Sequence, residues 1–133
     1  MAGSNLVVTS KPSSWSAALD NICVGKSVEG KKHLFIVSAG NTELHTHIDY
    51  PNSNITDQIH DPGQSWNALT VGAHTDKVAI TENQFSGWSP LASAGDIAPG
   101  TTTSVTWMRN KWPIKPDVVF EGGNAAIDPA RTG

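Results

Sequence analysis

Apolar positions fall in short clusters separated by long polar stretches, and each cluster has its own spacing. Leu6-Val7-Val8-Thr9 is a compact β-branched run, the mark of a strand. After the loop Ser10-Lys11-Pro12-Ser13-Ser14, the residues Trp15, Ala18, Leu19, Ile22, Cys23 and Lys26 follow the spacing of a helix buried along one stripe. Ser13 or Ser14 is placed to cap its first amides. Gly25 weakens this helix, and Gly30 with Lys31-Lys32 marks its end. His33 to Ala39 is apolar without alternation, so both its faces are expected to be buried, as in a central strand with helices on each side. Leu6 to Ala39 therefore predicts one right-handed βαβ unit.

Gly40 to Trp66 is polar, rich in Asn, Asp, Pro and Gly, and without periodicity; a structureless loop of that length is usually functional. Ala68 to Ala73 reads as a strand, and Val78-Ala79-Ile80 and the segment around Phe85 read as further β structure. Ser86 to Ile114 reads mostly as loop, Asp117 to Phe120 as a last strand, and Glu121 to Gly133 has no clear end. The expected class is α/β.

Composition narrows the function. The chain has 133 residues, one domain or a piece of one. A net charge of only −3 argues against wholesale disorder. Nine basic against twelve acidic residues give no electrostatic footprint for nucleic acid. Lys31-Lys32-His33 reads as a solvated turn. No apolar stretch is long enough to span a membrane. Met1 to Asn5 shows no signal peptide, which leaves the compartment open with a slight preference for the cytoplasm. Cys23, the one cysteine, is expected to be a small core residue.

Ligands in open α/β sheets bind outside the carboxyl ends of the strands. There the sequence reads Ser38-Ala39-Gly40-Asn41. Gly40 permits close backbone approach, and Asn41 offers an amide with two N–H donors. A donor fixed beyond a central strand suits a developing oxyanion; the same four residues also suit a turn that merely ends a strand. His45-Thr46-His47 with Asp49, joined by His60-Asp61, would share a face if extended, but short His pairs are common in polar loops, and no metal or other cofactor is assigned. Asn54-Ile55-Thr56 fits the glycosylation pattern, which matters only in a secreted chain. Five tryptophans serve either packing or a stacking surface for peptide or sugar.

Ser16-Ala17-Ala18-Leu19-Asp20, the strand ending Ser38-Ala39-Gly40-Asn41, Tyr50-Pro51, Asn67 to Ala73, Phe85-Ser86-Gly87 and Lys115-Pro116-Asp117-Val118-Val119 stand in one order. This series resembles the middle of the subtilisin-like serine peptidase (subtilase) domain. The resemblance implies a partial subtilisin-like three-layer α/β fold with a mostly parallel sheet and long loops, residues 1–133 forming its central portion. It makes Asn41 the side-chain oxyanion donor. Ser38, Ala39 and Gly40 match one wall of the primary specificity pocket, and Val8, Thr9 and Ser10 fall where the other wall runs, without the family's usual Ser-hydrophobic-Gly sequence. Tyr50-Pro51 resembles the dipeptide at the pocket base, where a cis bond can form.

The departures are equally specific. Phe85 to Pro90 lacks the family's Gly-Pro, and residues 91–114 read as an insertion whose Ala98-Pro99-Gly100 is a coincidental loop motif. Phe120-Glu121-Gly122 stands where the family has Ala-Pro-Gly. No Asp lies in an Asp-Ser/Thr-Gly context, no His precedes Gly, and no Gly-Thr-Ser occurs, so the triad is missing. The chain is expected to be an internal fragment of a serine endopeptidase, inactive alone, acting on peptide or protein substrates with the remainder of its domain. Its uncovered sheet is expected to promote self-association. The alternative is a non-catalytic pseudo-peptidase or regulatory module that binds peptide or protein. A nucleotide-binding α/β domain lacks any supporting Gly-rich loop.

Overall fold

The computed structural model describes residues 12–26, 30–110 and 112–131. The predicted strand Leu6–Thr9, and with it Thr9 and Ser10, lies outside them, so the expected βαβ unit is seen only from its helix onward. In chain order the elements are α1 (Ser14–Cys23), β1 (Ile36–Ser38), α2 (Asn52–Thr56), β2 (Leu69–Thr75), β3 (Ser89–Pro90), β4 (Asp96–Ile97), β5 (Val118–Glu121) and β6 (Ala126–Ile127). Single-turn or longer 3₁₀ segments cover Leu44–Asp49, Asn83–Phe85, Val105–Asn110 and Pro129–Arg131.

β2 is the axis of a mostly parallel sheet. β1 runs parallel to its first half, with Ile36 opposite Leu69 and Ser38 opposite Val71. β5 runs parallel along its other edge, from Val71 opposite Val118 to His74 opposite Glu121. β4 is antiparallel to its last two residues. β3 and β6 form a separate antiparallel pair. The α/β class, the parallel sheet and the long loops are as the sequence implies.

α1 starts where expected. Ser13 is the cap, its hydroxyl accepting from the Ser16 amide at 3.1 Å. The end differs from the expectation. Lys26 N–H donates to Asn21 C=O at 2.8 Å and Gly25 N–H to Ile22 C=O at 3.1 Å, with Gly25 at φ +79°. This is a Schellman stop, so Gly25 ends the helix five residues before Gly30 and Lys26 lies beyond it. The buried stripe also differs. Ser16, Leu19 and Cys23 face inward, whereas Trp15 and Ile22 are exposed. Ser16 draws the helix round by donating to Asp61 Oδ1 and the Pro62 carbonyl.

Strand alternation and the register divide the sheet into two faces. Phe35 and Val37 pack with Ala68 against Leu19 and Cys23, the small apolar core beneath α1. Ile36, Val71, Ala73 and Phe120 share the other face. Ile36 and Phe120 are each 65% exposed. The expectation that both faces of the His33–Ala39 run are buried therefore fails: no described segment covers the second face. Two further corrections concern local structure. Gly40 to Trp66 contains α2 and a 3₁₀ helix, and Val78 to Ile80 and Phe85 are not in strands.

The sheet and helix are also pinned by polar bonds. Asp20 near the end of α1 accepts from the Ser65 hydroxyl, the Asn67 amide at 2.7 Å and Asn67 Nδ2 at 3.2 Å. Burial pushes its carboxyl pKa up, but these bonds together with the Trp66 amide more than offset it and hold the value below the ordinary one. A depressed native pKa adds stability above the unfolded value of about 3.9 and loses it as pH falls through the native value. Asp20→Asn is expected to lower the urea midpoint at neutral pH and to flatten the fall below about pH 4. Midpoints measured across that range that run parallel in the two chains would refute this role.

Candidate functional site

At Val71 the chain of β1 leaves β2, and a second segment takes its place on the same edge. Ala39 N–H still donates to Val71 C=O at 2.8 Å. Beyond it, Ala98 N–H donates to Ala73 C=O at 3.0 Å, and Thr101 Oγ1 accepts from Ala73 N–H at 3.2 Å. Gly40 and Asn41 sit where the two segments part, with Asn41 bridging antiparallel to Thr101.

Both sides of Asn41 are clamped. Ala39 C=O accepts from His60 N–H at 2.8 Å and from Thr102 Oγ1 at 2.7 Å. Thr42 N–H donates to Gly100 C=O at 3.0 Å, and its hydroxyl donates to Pro99 C=O at 2.8 Å. Asn54, fully buried, backs the same turn through Nδ2, which lies 3.0 Å from Ala98 C=O, 3.2 Å from Pro99 C=O and 2.7 Å from Thr101 C=O. Gly40 is required here. It has φ +111°, and a Cβ would collide with the His60 imidazole. The carboxamide of Asn41 is exposed and forms no hydrogen bond among the described residues.

A cleft of ≈ 550 Å³ opens against this corner of the sheet, lined among others by Ile36, Ser38, Gly40, Asn41, Ala73 and Phe120. Ser38, Gly40 and Asn41 of the expected site thus come together. Ala39 does not join them: its side chain is fully buried, so its part is the doubly accepted carbonyl. Thr9 and Ser10 lie outside the described residues. The Tyr50–Pro51 bond is cis, the isomer that the resemblance allows at this dipeptide. Desolvation first, then the Asp96 charge, raises the pKa of the Tyr50 hydroxyl, which donates to Ile97 C=O at 3.0 Å. Glu121 borders the cleft through its backbone, because its side chain falls on the face opposite Phe120. Amides of Asp76 and then Gly123 bonded to that carboxylate hold its pKa below the ordinary glutamate value.

Several residues escape a reading of the sequence. Ala98-Pro99-Gly100 has a structural part: it is the buried or half-buried segment that replaces β1 beside β2 and carries the Thr42 and Asn54 bonds. Each hydroxyl of the Thr101-Thr102-Thr103 run has its own backbone partner, respectively Ala73, Ala39 and Asn54. A run of threonines beside Pro-Gly, inside a segment with few apolar anchors, was the available signal. Asn54 cannot serve as a folded-state glycan acceptor, since its amide is buried and engaged. His45 and His47 lie in a 3₁₀ helix, so the alternate-face argument for a metal there does not hold. Trp107 is buried with Nε1 donating to Gln58 Oε1 at 3.0 Å, while Trp15 and Trp66 remain exposed.

A mostly parallel sheet with a cleft at the carboxyl end of a central strand defines an α/β protein with its candidate site where open sheets of this class bind ligands. The subtilase family model matches residues 3–133, and the chain belongs to that family. Among curated proteins and solved structures nothing matches it.

Proposed function

We propose that this chain supplies the oxyanion donor and part of the substrate groove of a subtilisin-like serine endopeptidase. The observation that carries this reading is the state of Asn41. Its backbone is anchored on both sides, while the residue lines a cleft and its exposed amide makes no hydrogen bond among the described residues. A donor held in place before reaction pays no reorganisation when charge develops. A serine attacking the peptide carbonyl transfers its proton to a histidine, and the negative charge builds on the carbonyl oxygen. Asn41 Nδ2 donates to that oxygen as the tetrahedral intermediate forms.

No triad motif occurs in the 133 residues, so the serine, histidine and aspartate come from outside this sequence, and the chain alone hydrolyses nothing. The face bearing Ile36 and Phe120 then seats peptide substrate and the remainder of the peptidase domain. Left uncovered, it favours self-association. A second reading, a non-catalytic peptide-binding module, is favoured by Phe120. This exposed ring on the cleft face stands where the family has alanine and enlarges the apolar contact.

A fluorophosphonate probe tests the choice. The full-length protein that carries these residues is expected to be labelled at a serine outside residues 1–133, and residues 1–133 alone are expected to stay unlabelled. Labelling of a serine within them would overturn the assignment, and a full-length protein that binds peptide without labelling would leave the binding module.

A further inference from the structure

On the sheet face opposite the cleft, at the carboxyl ends of β2 and β5, three ligating side chains converge. The parallel register sets His74 opposite Glu121, and Asp76 follows β2 by one residue, so alternation places all three on one side. One ligand atom from each lies within 4.8 Å of the others. None is in an ion pair among the described residues.

We propose that His74, Asp76 and Glu121 bind a divalent transition-metal ion of the zinc class. The donor set decides the class. Calcium and magnesium take oxygen ligands, whereas an imidazole nitrogen beside two carboxylates suits borderline ions such as Zn²⁺. In a tetrahedral shell with bonds of about 2.0–2.1 Å, neighbouring ligand atoms stand about 3.3 Å apart. Closing from 4.8 Å to that spacing falls to the His74 and Asp76 side chains, of which Asp76 is exposed.

One ligand is already oriented. Glu121 Oε2 accepts from Asp76 N–H at 2.7 Å and Oε1 from Gly123 N–H at 2.8 Å. With the Thr75 hydroxyl as a third donor, the carboxylate keeps one of its four lone-pair sites for the metal, and the backbone bonds fix its plane as second-shell partners do. Gly122 N–H donates to His74 C=O at 2.9 Å, which ties the two strand ends together beneath the site. Three protein ligands leave the fourth position of the ion to water or to an added ligand. Bound metal joins the end of β2, the turn after it and the end of β5.

The test is a calorimetric titration of the chain with Zn²⁺, with circular dichroism confirming that each variant folds. One ion per chain is expected, with affinity reduced at least about tenfold in His74→Ala and in Asp76→Asn. Asp76→Asn retains the backbone amide that orients Glu121, so it removes a ligand without removing the support. His45→Ala is expected to bind as the parent chain does, and Ca²⁺ is expected not to compete. Absence of binding at millimolar zinc, binding indifferent to both variants, or equal displacement by Ca²⁺ would overturn the site.

Discussion

Asp117→Ala is expected to destabilise the chain by about 3–5 kcal/mol, the cost of stranding a buried charge. The Lys115 side chain is 1% exposed, and its Nζ lies 2.6 Å from Asp117 Oδ2 and 2.9 Å from Ala68 C=O. Asp117 Oδ2 also accepts from Thr70 N–H at 2.7 Å, while Asp117 N–H donates to Thr70 C=O at 2.9 Å. The Lys-Pro-Asp sequence is therefore a clasp that sets β5 on β2. Its two ends are unequal, because the Asp117 side chain is 33% exposed and water can solvate it. Lys115→Met should cost less, about 1–3 kcal/mol for the unpaired Ala68 carbonyl. The double variant should cost less than the sum, since no buried ammonium remains, but more than Lys115→Met by the unpaired Thr70 amide. Urea midpoints of the three chains decide this. If Lys115→Met proves as damaging as Asp117→Ala, the asymmetry of burial does not govern the clasp.

Asn41→Ala in the full-length protein is expected to lower kcat by about 10²–10³ and to leave KM nearly unchanged; that magnitude is known for the matching amide of subtilisin, a member of this same family, and is taken over from it. The split follows from where the bond forms. In the proposed role Asn41 Nδ2 meets the intermediate's oxygen rather than the ground-state carbonyl, so its loss should be felt in the transition state alone. Asn41 also carries no bond that holds the fold among the described residues, since the clamps act through Ala39 and Thr42. Thermal midpoints of the two proteins should consequently agree. A loss expressed in KM with kcat intact would assign Asn41 to substrate binding and remove it from the chemistry.

The legible parts of the chain were those governed by near neighbours. Ser13 caps α1 because a serine before an apolar stripe has the helix amides within reach. The β-branched runs at Leu69 and Val118 became strands, and the Gly40-Asn41 corner fell at a strand's carboxyl end as its order implies. The misplaced helix end was also local: Gly25 already had the backbone freedom to stop α1, and the basic pair near Gly30 drew the reading too far.

The sequence by itself determined the elements that follow from spacing and backbone preference, together with the family to which they belong. The tertiary structure alone decided which side chains meet. Ala98 and Gly100 came to line the cleft because β1 leaves β2 and an unpaired edge must find new hydrogen bonds. His74, Asp76 and Glu121 became neighbours only when two parallel strands took a particular register. Such meetings join residues far apart in sequence, and periodicity carries no information about register between strands that a long, irregular connection separates.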